Sequence, residues 1–171
     1  GDSSMKIKSL VSLGTAALLS MSVATTAVAE DKVLLKLPVW FGTHLTGLGS
    51  SPLFFADTVN KASGGSIKVR IYEPGKLVAT KEMLESVSNG SVNAGWGTPG
   101  YNTGLLGKKA AIFSAVPFGP EAPEFMAWVY YGGGRELWQK LYDDAGYNVH
   151  AVPCSIIAPE TSGWFTKEIN S

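Results

Sequence analysis

Short apolar runs alternate with helical segments of about ten residues along most of the chain, and this alternation constrains the fold most. Lys32–Val39 and Ile67–Tyr72 are rich in Val, Leu and Ile, which predicts two strands. A helix is predicted between them from Ser51, because the proline that follows favours the first helical position. Further strands are predicted over 92–97, 110–116 and 147–153, and for 110–116 a strand with a helical lead-in is the alternative. Further helices are predicted from Thr80, over 121–131 and over 135–144. This order predicts an α/β fold with a mostly parallel sheet flanked by helices.

The first 29 residues are expected to lie outside that fold. Gly1–Ser4 resembles a vector remnant, and Lys6 and Lys8 then precede a short apolar stretch that ends in Ala27-Val28-Ala29. A positive start, an apolar middle and small residues in an A-x-A pattern are typical of a secretory signal peptide. A membrane anchor is the alternative, but the apolar run is interrupted by serine, threonine and glycine and is short for a span. We expect cleavage after Ala29, export to a periplasm and no membrane insertion afterwards.

Composition and charge exclude several classes of protein. The chain has 171 residues, of which 45% are hydrophobic and 11% aromatic, so it is too apolar to be disordered. Lysine plus arginine and aspartate plus glutamate number 14 each, which argues against nucleic acid as a partner. The sequence contains no zinc-protease, P-loop or nucleophile-elbow motif and no nucleophile beside a base, so we do not expect an enzyme.

Aromatic residues follow two of the predicted strands at the point where each strand ends. Trp40 and Phe41 follow the first strand, and Trp96 and Tyr101 follow the third. In open parallel sheets, ligands bind in the crevice beyond the carboxyl ends of the strands. Trp40, Trp96 and Tyr101 are therefore candidate ligand contacts, with packing in the core or at its rim as the alternative.

Several segments resemble the DctP-type solute-binding proteins of TRAP transporters: Ala94–Tyr101, Phe113–Pro120, Ala127–Gly134, Glu136–Trp138 and Pro159–Ile169. They occur in the order and with the spacing of that family, and are most similar to the branch that binds 2-oxo acids, lactate and related monocarboxylates. The resemblance implies a periplasmic-binding-protein-like fold, in which two α/β lobes close on an organic carboxylate and deliver it to a sodium-driven membrane permease.

The resemblance also implies a division of the chain. Residues 1–29 would be the vector remnant and signal peptide, 30–149 the first α/β lobe, and 150–171 a crossover strand into a second lobe that is largely missing. Two lobes together need about 300 residues, so the chain resembles an N-terminal fragment. The arginine that binds the substrate carboxylate in the family would lie beyond Ser171, and we expect this chain alone to bind carboxylates weakly or not at all.

The resemblance implies further ligand contacts by Glu160, Thr161 and Trp164. Glu160 stands where relatives that bind 2-oxo acids often have a glutamine. A carboxylate there would repel a carboxylate ligand unless it is protonated, hydrogen-bonded or bridged by a metal ion. Glu160 is therefore expected either to share a Na⁺ or Ca²⁺ ion with the ligand or to serve a polar ligand group, and a hydrogen bond within the hinge strand is the alternative. No other cofactor is expected.

The function expected from the resemblance is that of a periplasmic solute-binding subunit. It would capture a small organic carboxylate, such as a 2-oxo acid or lactate, and deliver it to the TRAP permease. An exported enzyme that acts on carboxylates or sugars is one alternative. A sensor domain of the same fold, which signals to a membrane partner without transport, is the other.

Overall fold

The computed structural model describes residues 32–156 and 165–168. Its strands are β1 (Val33–Pro38) and β2 (Ile67–Tyr72), and its α-helices are α1 (Ser50–Ala62), α2 (Met83–Ser88), α3 (Thr103–Leu106), α4 (Ala122–Tyr131) and α5 (Gly134–Asp144). Three 3-10 helices span Thr80–Glu82, Pro99–Asn102 and Lys108–Phe113. Within the described ranges, none of the helices combines the length and hydrophobicity needed to traverse a lipid bilayer.

The first two strands form a parallel pair, joined by α1. The register places Val33 opposite Ile67 and continues residue by residue to the ends of both strands. Helix α1 covers the pair, and a core forms where Leu37, Ala56 and Val69 meet. This βαβ unit confirms both predicted strands and the helix between them, and it confirms the parallel sheet of the predicted fold class.

The other edge of β1 is bonded to the segment 93–96 partly through the backbone and partly through a side chain. The backbone makes one bridge, in which the Trp96 N–H donates to the Pro38 carbonyl and the Trp40 N–H donates to the Trp96 carbonyl. Farther back, the Asn93 side chain donates from Nδ2 to the Leu34 carbonyl at 2.7 Å and accepts from the Lys36 amide at 2.7 Å. The predicted strand over 92–97 is therefore wrong, because a side-chain amide occupies the place of the backbone ladder.

The outer edge of β2 is likewise bonded to side chains, which come from the end of α1. Asn60 accepts a hydrogen bond from the Val69 amide at 2.7 Å and donates to the carbonyl of the same residue at 3.4 Å. Ser63 Oγ donates to the Ile67 carbonyl at 3.0 Å. The last turn of α1 is thus fixed to the strand that follows it.

A second core is formed by helices. Phe113 stacks between Trp128 and Trp138, with ring centroids 5.7 and 5.0 Å away. The sequence predicted a strand over 110–116, or alternatively a strand with a helical lead-in. Ala110 and Phe113 lie on the 3-10 helix Lys108–Phe113. Residues three apart share one side of a 3-10 helix, so both are buried in this core. The structure contradicts the strand.

The predicted strand over 147–153 is also absent. Its backbone is bonded to side chains of neighbouring helices: Gln139 Nε2 donates to the Val149 carbonyl at 2.8 Å, and Gln139 Oε1 accepts from the Ala151 amide at 2.9 Å. The Asn148 amide donates to Ser88 Oγ at 2.9 Å. These bonds satisfy the backbone without a neighbouring strand.

The helical predictions hold with one adjustment. The predicted helices over 121–131 and 135–144 match α4 and α5 to within one residue. The helix predicted from Thr80 begins as a 3-10 turn and becomes α-helical only at Met83. The described residues therefore contain a two-stranded parallel sheet flanked by helices, where the sequence predicted more strands.

Candidate functional site

The sheet has a topological switch point at β1, because the chain adds β2 on one side of this strand and segment 93–96 on the other. The chain passes from β1 through α1 to β2 on one side, and then returns through α2 to pair segment 93–96 with the other side of β1. Ligands of open α/β sheets bind beyond the strand ends at such a switch point. Trp40 and Trp96 lie on its two sides, and the Trp40 amide donates to the Trp96 carbonyl at 3.0 Å.

Three aromatic side chains meet beside this switch point. The Tyr101 ring lies 5.2 Å from the Trp40 ring and 5.9 Å from the Phe41 ring, measured between centroids. Both are tilted or edge contacts, which aromatic pairs prefer. We call Trp40, Phe41 and Tyr101 the aromatic cluster. The cluster brings together the predicted ligand contacts Trp40 and Tyr101 and adds Phe41. The Tyr101 side chain remains 65% exposed.

Trp96 points to a different neighbour. Its ring lies 5.6 Å from Phe55 of α1, and the side chain packs against the core beneath the sheet. Trp96 and Trp40 also line a cavity of about 410 Å³, which the segment 149–154 borders on another side. Trp96 therefore packs against the core and also lines a cavity, and its contact with a ligand stays a prediction.

A close approach at Gly97 and hydrogen bonds to Ser114 shape the aromatic cluster. A Cβ on Gly97 would lie 2.9 Å from Cδ1 of Trp40, so only glycine leaves room for that ring. Tyr101 lies on the 3-10 helix Pro99–Asn102, and the Gly100 amide there donates to Ser114 Oγ at 2.8 Å. Ser114 is also hydrogen-bonded to the Thr98 hydroxyl. The turn that carries Tyr101 is thus tied to the end of the 3-10 helix at Phe113.

An acidic residue holds the loop that follows Trp40. The Thr43 amide donates to Glu73 Oε2 at 3.2 Å, and the Thr43 hydroxyl donates to Oε1 of the same carboxylate. These hydrogen bonds, with a smaller contribution from the charge of His44, lower the pKa of Glu73 below its ordinary value. Apart from an acidic residue directly after a predicted strand, no sequence pattern indicated this contact.

The remaining predicted site residues, Glu160, Thr161 and Trp164, lie outside the described residues, and so do the leader and its cleavage site. Over 32–156 and 165–168, no group of three or more His, Cys, Asp and Glu side chains is placed to hold a metal ion. Coordination of a cation by Glu160 stays a prediction.

Comparison with known sequences gives one family and one curated relative of particular interest. The family described as bacterial extracellular solute-binding protein, family 7 (DctP), matches residues 43–155. The monocarboxylate 2-oxoacid-binding periplasmic protein of Nostoc sp. is 36% identical over 118 residues, which are 68% of this chain and 31% of that protein.

Solved structures agree with the sequence matches. A TRAP periplasmic solute-binding protein from Pseudoalteromonas atlantica, with bound sodium and pyruvate, is 31% identical and superposes with a TM-score of 0.62. One from Colwellia psychrerythraea, with bound calcium and pyruvate, is 32% identical with a TM-score of 0.61. Each match covers 68% of this chain and 35% of the other. The chain thus spans about a third of the length of the relatives that it matches.

Proposed function

Because the chain belongs to the DctP family of bacterial extracellular solute-binding proteins, we propose that it contributes one lobe of the ligand site in a TRAP transporter's periplasmic subunit. Its ligand is a small 2-oxo monocarboxylate such as pyruvate. The observation that carries this choice is the 36% identity to a 2-oxoacid-binding protein, and the pyruvate in two similar structures supports it.

The aromatic cluster supplies the apolar side of this site. A 2-oxo acid is small and planar, and the exposed face of Tyr101 beside Trp40 offers a flat surface on which it can pack. The ligand's carboxylate needs positive charge or hydrogen-bond donors in addition. We propose that these come from outside the described residues, and that Thr161 and Trp164 complete the contacts.

A cation is part of the proposal. The two similar pyruvate-bound structures hold sodium or calcium together with the ligand. An oxygen ligand such as Glu160 suits either ion, since both prefer carboxylate and carbonyl oxygens. A shared cation would also remove the repulsion between Glu160 and the ligand's carboxylate.

The test is a titration of the purified chain followed by heteronuclear NMR, which detects weak binding. Pyruvate should move the Trp40 indole and Tyr101 signals more than propionate, which has the same size but lacks the 2-oxo group. Adding calcium should strengthen the response. The pyruvate spectrum should stay unchanged over time, because a binding protein returns its ligand intact. An equal response to propionate, or conversion of pyruvate, would contradict the proposal.

Matched variants make the titration specific. Tyr101→Ala should reduce the pyruvate response, because Tyr101 belongs to the aromatic cluster. Tyr131→Ala should leave it unchanged, because Tyr131 is a 92% exposed tyrosine on α4 that is not part of that cluster. Equal effects of the two substitutions would place the ligand elsewhere.

We also propose that the chain acts in the periplasm and delivers its ligand to a membrane permease. Its curated relative is named as periplasmic, which supports the location. Mass spectrometry of the periplasmic fraction should give a mature N-terminus at Glu30, the residue after the expected cleavage site. Pyruvate uptake that depends on both this protein and a TRAP permease would distinguish transport from sensing, because a sensor would leave uptake unchanged.

A further inference from the structure

The loop between β1 and α1 carries two of the three cluster aromatics, Trp40 and Phe41. It folds back on itself, with the Leu45 amide donating to the Gly42 carbonyl at 3.0 Å and the Gly49 amide donating to the Leu45 carbonyl at 2.9 Å. Trp40 is fixed by the bond between its amide and the Trp96 carbonyl, whereas these local bonds shape residues 42–49 without tying them to the rest of the molecule.

We propose that Glu73 is a positioning residue of the ligand site, whose carboxylate holds Thr43 and so keeps the loop after β1 where Trp40 and Phe41 meet Tyr101. The part of this inference that concerns ligand rests on the proposed function. Glu73 itself need not touch the ligand, because it acts through Thr43.

The hydrogen bonds around the loop support this role. Within the described residues, the only side-chain hydrogen bonds that join residues 41–46 to another part of the chain are the two between Thr43 and Glu73. Glu73 comes directly after the last residue of β2, the strand that pairs with β1. The carboxylate therefore ties the loop to the neighbouring strand end, close to where the loop leaves β1.

Two donors on Thr43 meet two acceptor oxygens, and only a carboxylate offers both at once. An ionised carboxylate is acceptor-only, whereas its protonated form turns one oxygen into a donor. The two hydrogen bonds from Thr43, together with His44, the titratable neighbour in the same loop, lower the pKa of Glu73. The anchor is therefore complete near neutral pH, and it weakens only as the pH falls through that lowered pKa.

The first readout needs no ligand. In Glu73→Ala, amide hydrogen exchange at Thr43 should become about tenfold faster or more, because hydrogen bonds to a charged acceptor are the stronger ones. The Trp40 indole signal, assigned with Trp40→Phe, should move as well. The Trp128 and Trp138 signals should stay in place and show that the variant is folded. Unchanged Thr43 and Trp40 signals would overturn the inference.

A pH profile separates positioning from general support of the fold. The Trp40 signal of the unmodified chain should shift when the pH is lowered from neutral through the lowered pKa of Glu73, as its carboxylate becomes protonated. Glu73→Gln keeps one acceptor oxygen and cannot ionise. At neutral pH its Trp40 signal should lie between those of the unmodified chain and Glu73→Ala, and it should show no pH transition. Glu85→Gln replaces an exposed carboxylate on α2 and should retain the pH transition of the Trp40 signal. A transition that persists in Glu73→Gln would overturn the role of Glu73.

Ligand titration completes the test. Where the unmodified chain responds to pyruvate, Glu73→Ala should require several-fold more pyruvate for the same response, and Glu85→Gln should not. Equal titrations of the two variants would overturn the positioning role in binding. A lack of response in the unmodified chain would count against the proposed function alone, since the exchange and pH readouts decide the anchoring of the loop by themselves.

Discussion

The two halves of the described chain satisfy their backbones differently. In the βαβ unit of β1, α1 and β2, the two strands pair backbone to backbone in one continuous register, and side chains bond only their outer edges. From residue 92 onward, segment 93–96 adds a single backbone bridge to β1 beside the Asn93 side chain, and segment 148–151 is bonded to the side chains of Gln139 and Ser88. An apolar run therefore becomes a strand only where another backbone lies beside it, and elsewhere polar side chains take over the hydrogen bonds.

The largest expected effect tests whether the helical half has a true core of its own. Phe113→Ala removes a ring stacked between Trp128 and Trp138, and should lower the free energy of unfolding by about 3–5 kcal/mol in urea denaturation. Leu37→Ala in the βαβ unit and Leu141→Ala in the helical core are matched controls, both 3% exposed and each expected to cost about 2–5 kcal/mol. A negligible effect of Phe113→Ala beside a large effect of Leu37→Ala would mean that only the βαβ unit is well packed.

Gly97→Ala tests the junction of the two halves. The added methyl would lie 2.9 Å from the Trp40 ring, so we expect a loss of about 1–3 kcal/mol in stability and a displaced Trp40 signal. Gly104→Ala is the matched control, because its Cβ would meet no atom within 4 Å on helix α3. That substitution should be neutral or slightly stabilising. Equal effects at both positions would show that the Trp40 ring has room to move.

Gln139→Ala tests the dependence of the helical half on side-chain bonds. Loss of the bonds to Val149 and Ala151 should cost about 1 kcal/mol and speed amide exchange at Ala151. Gln139→Glu keeps an acceptor for the Ala151 amide but removes the donor that Val149 and Asp143 share, so it should slow exchange at Ala151 relative to the alanine variant without restoring stability. Unchanged exchange in Gln139→Ala would remove the contrast between the two halves.

Asn93→Ala should have the smallest effect. Its two bonds to β1 are exposed, so water replaces them and their loss should cost less than about 1 kcal/mol in total, while the ladder to β2 on the other edge remains. Amide exchange should rise at Lys36 and stay slow at the β1 amides that bond to β2. Asn148→Ala is the control, since its side chain makes no hydrogen bond within the described residues. Unfolding of the whole βαβ unit in Asn93→Ala would reverse the expected order.

The sequence predicted those features that depend on local pattern. The two strands, α4 and α5 follow from apolar spacing, and the strand-end rule placed Trp40 and Tyr101 in one neighbourhood. The anchor on Glu73 could not be predicted, because nothing in the sequence links it to a threonine thirty positions earlier. The amide bonds of Asn93 and Gln139 were missed for the same reason, since they join residues that are distant in the chain or that the pattern assigned to other elements.

The asparagine at the end of α1 has a consequence for how this protein behaves at high concentration. A strand at the border of a sheet can add a strand from another molecule, and this is a common route to aggregation. Asn60 occupies both the amide and the carbonyl of Val69, and Ser63 occupies the Ile67 carbonyl, so a foreign strand finds these outward-facing groups already taken. The helix that builds the fold thus also blocks this part of the border against a strand from another molecule.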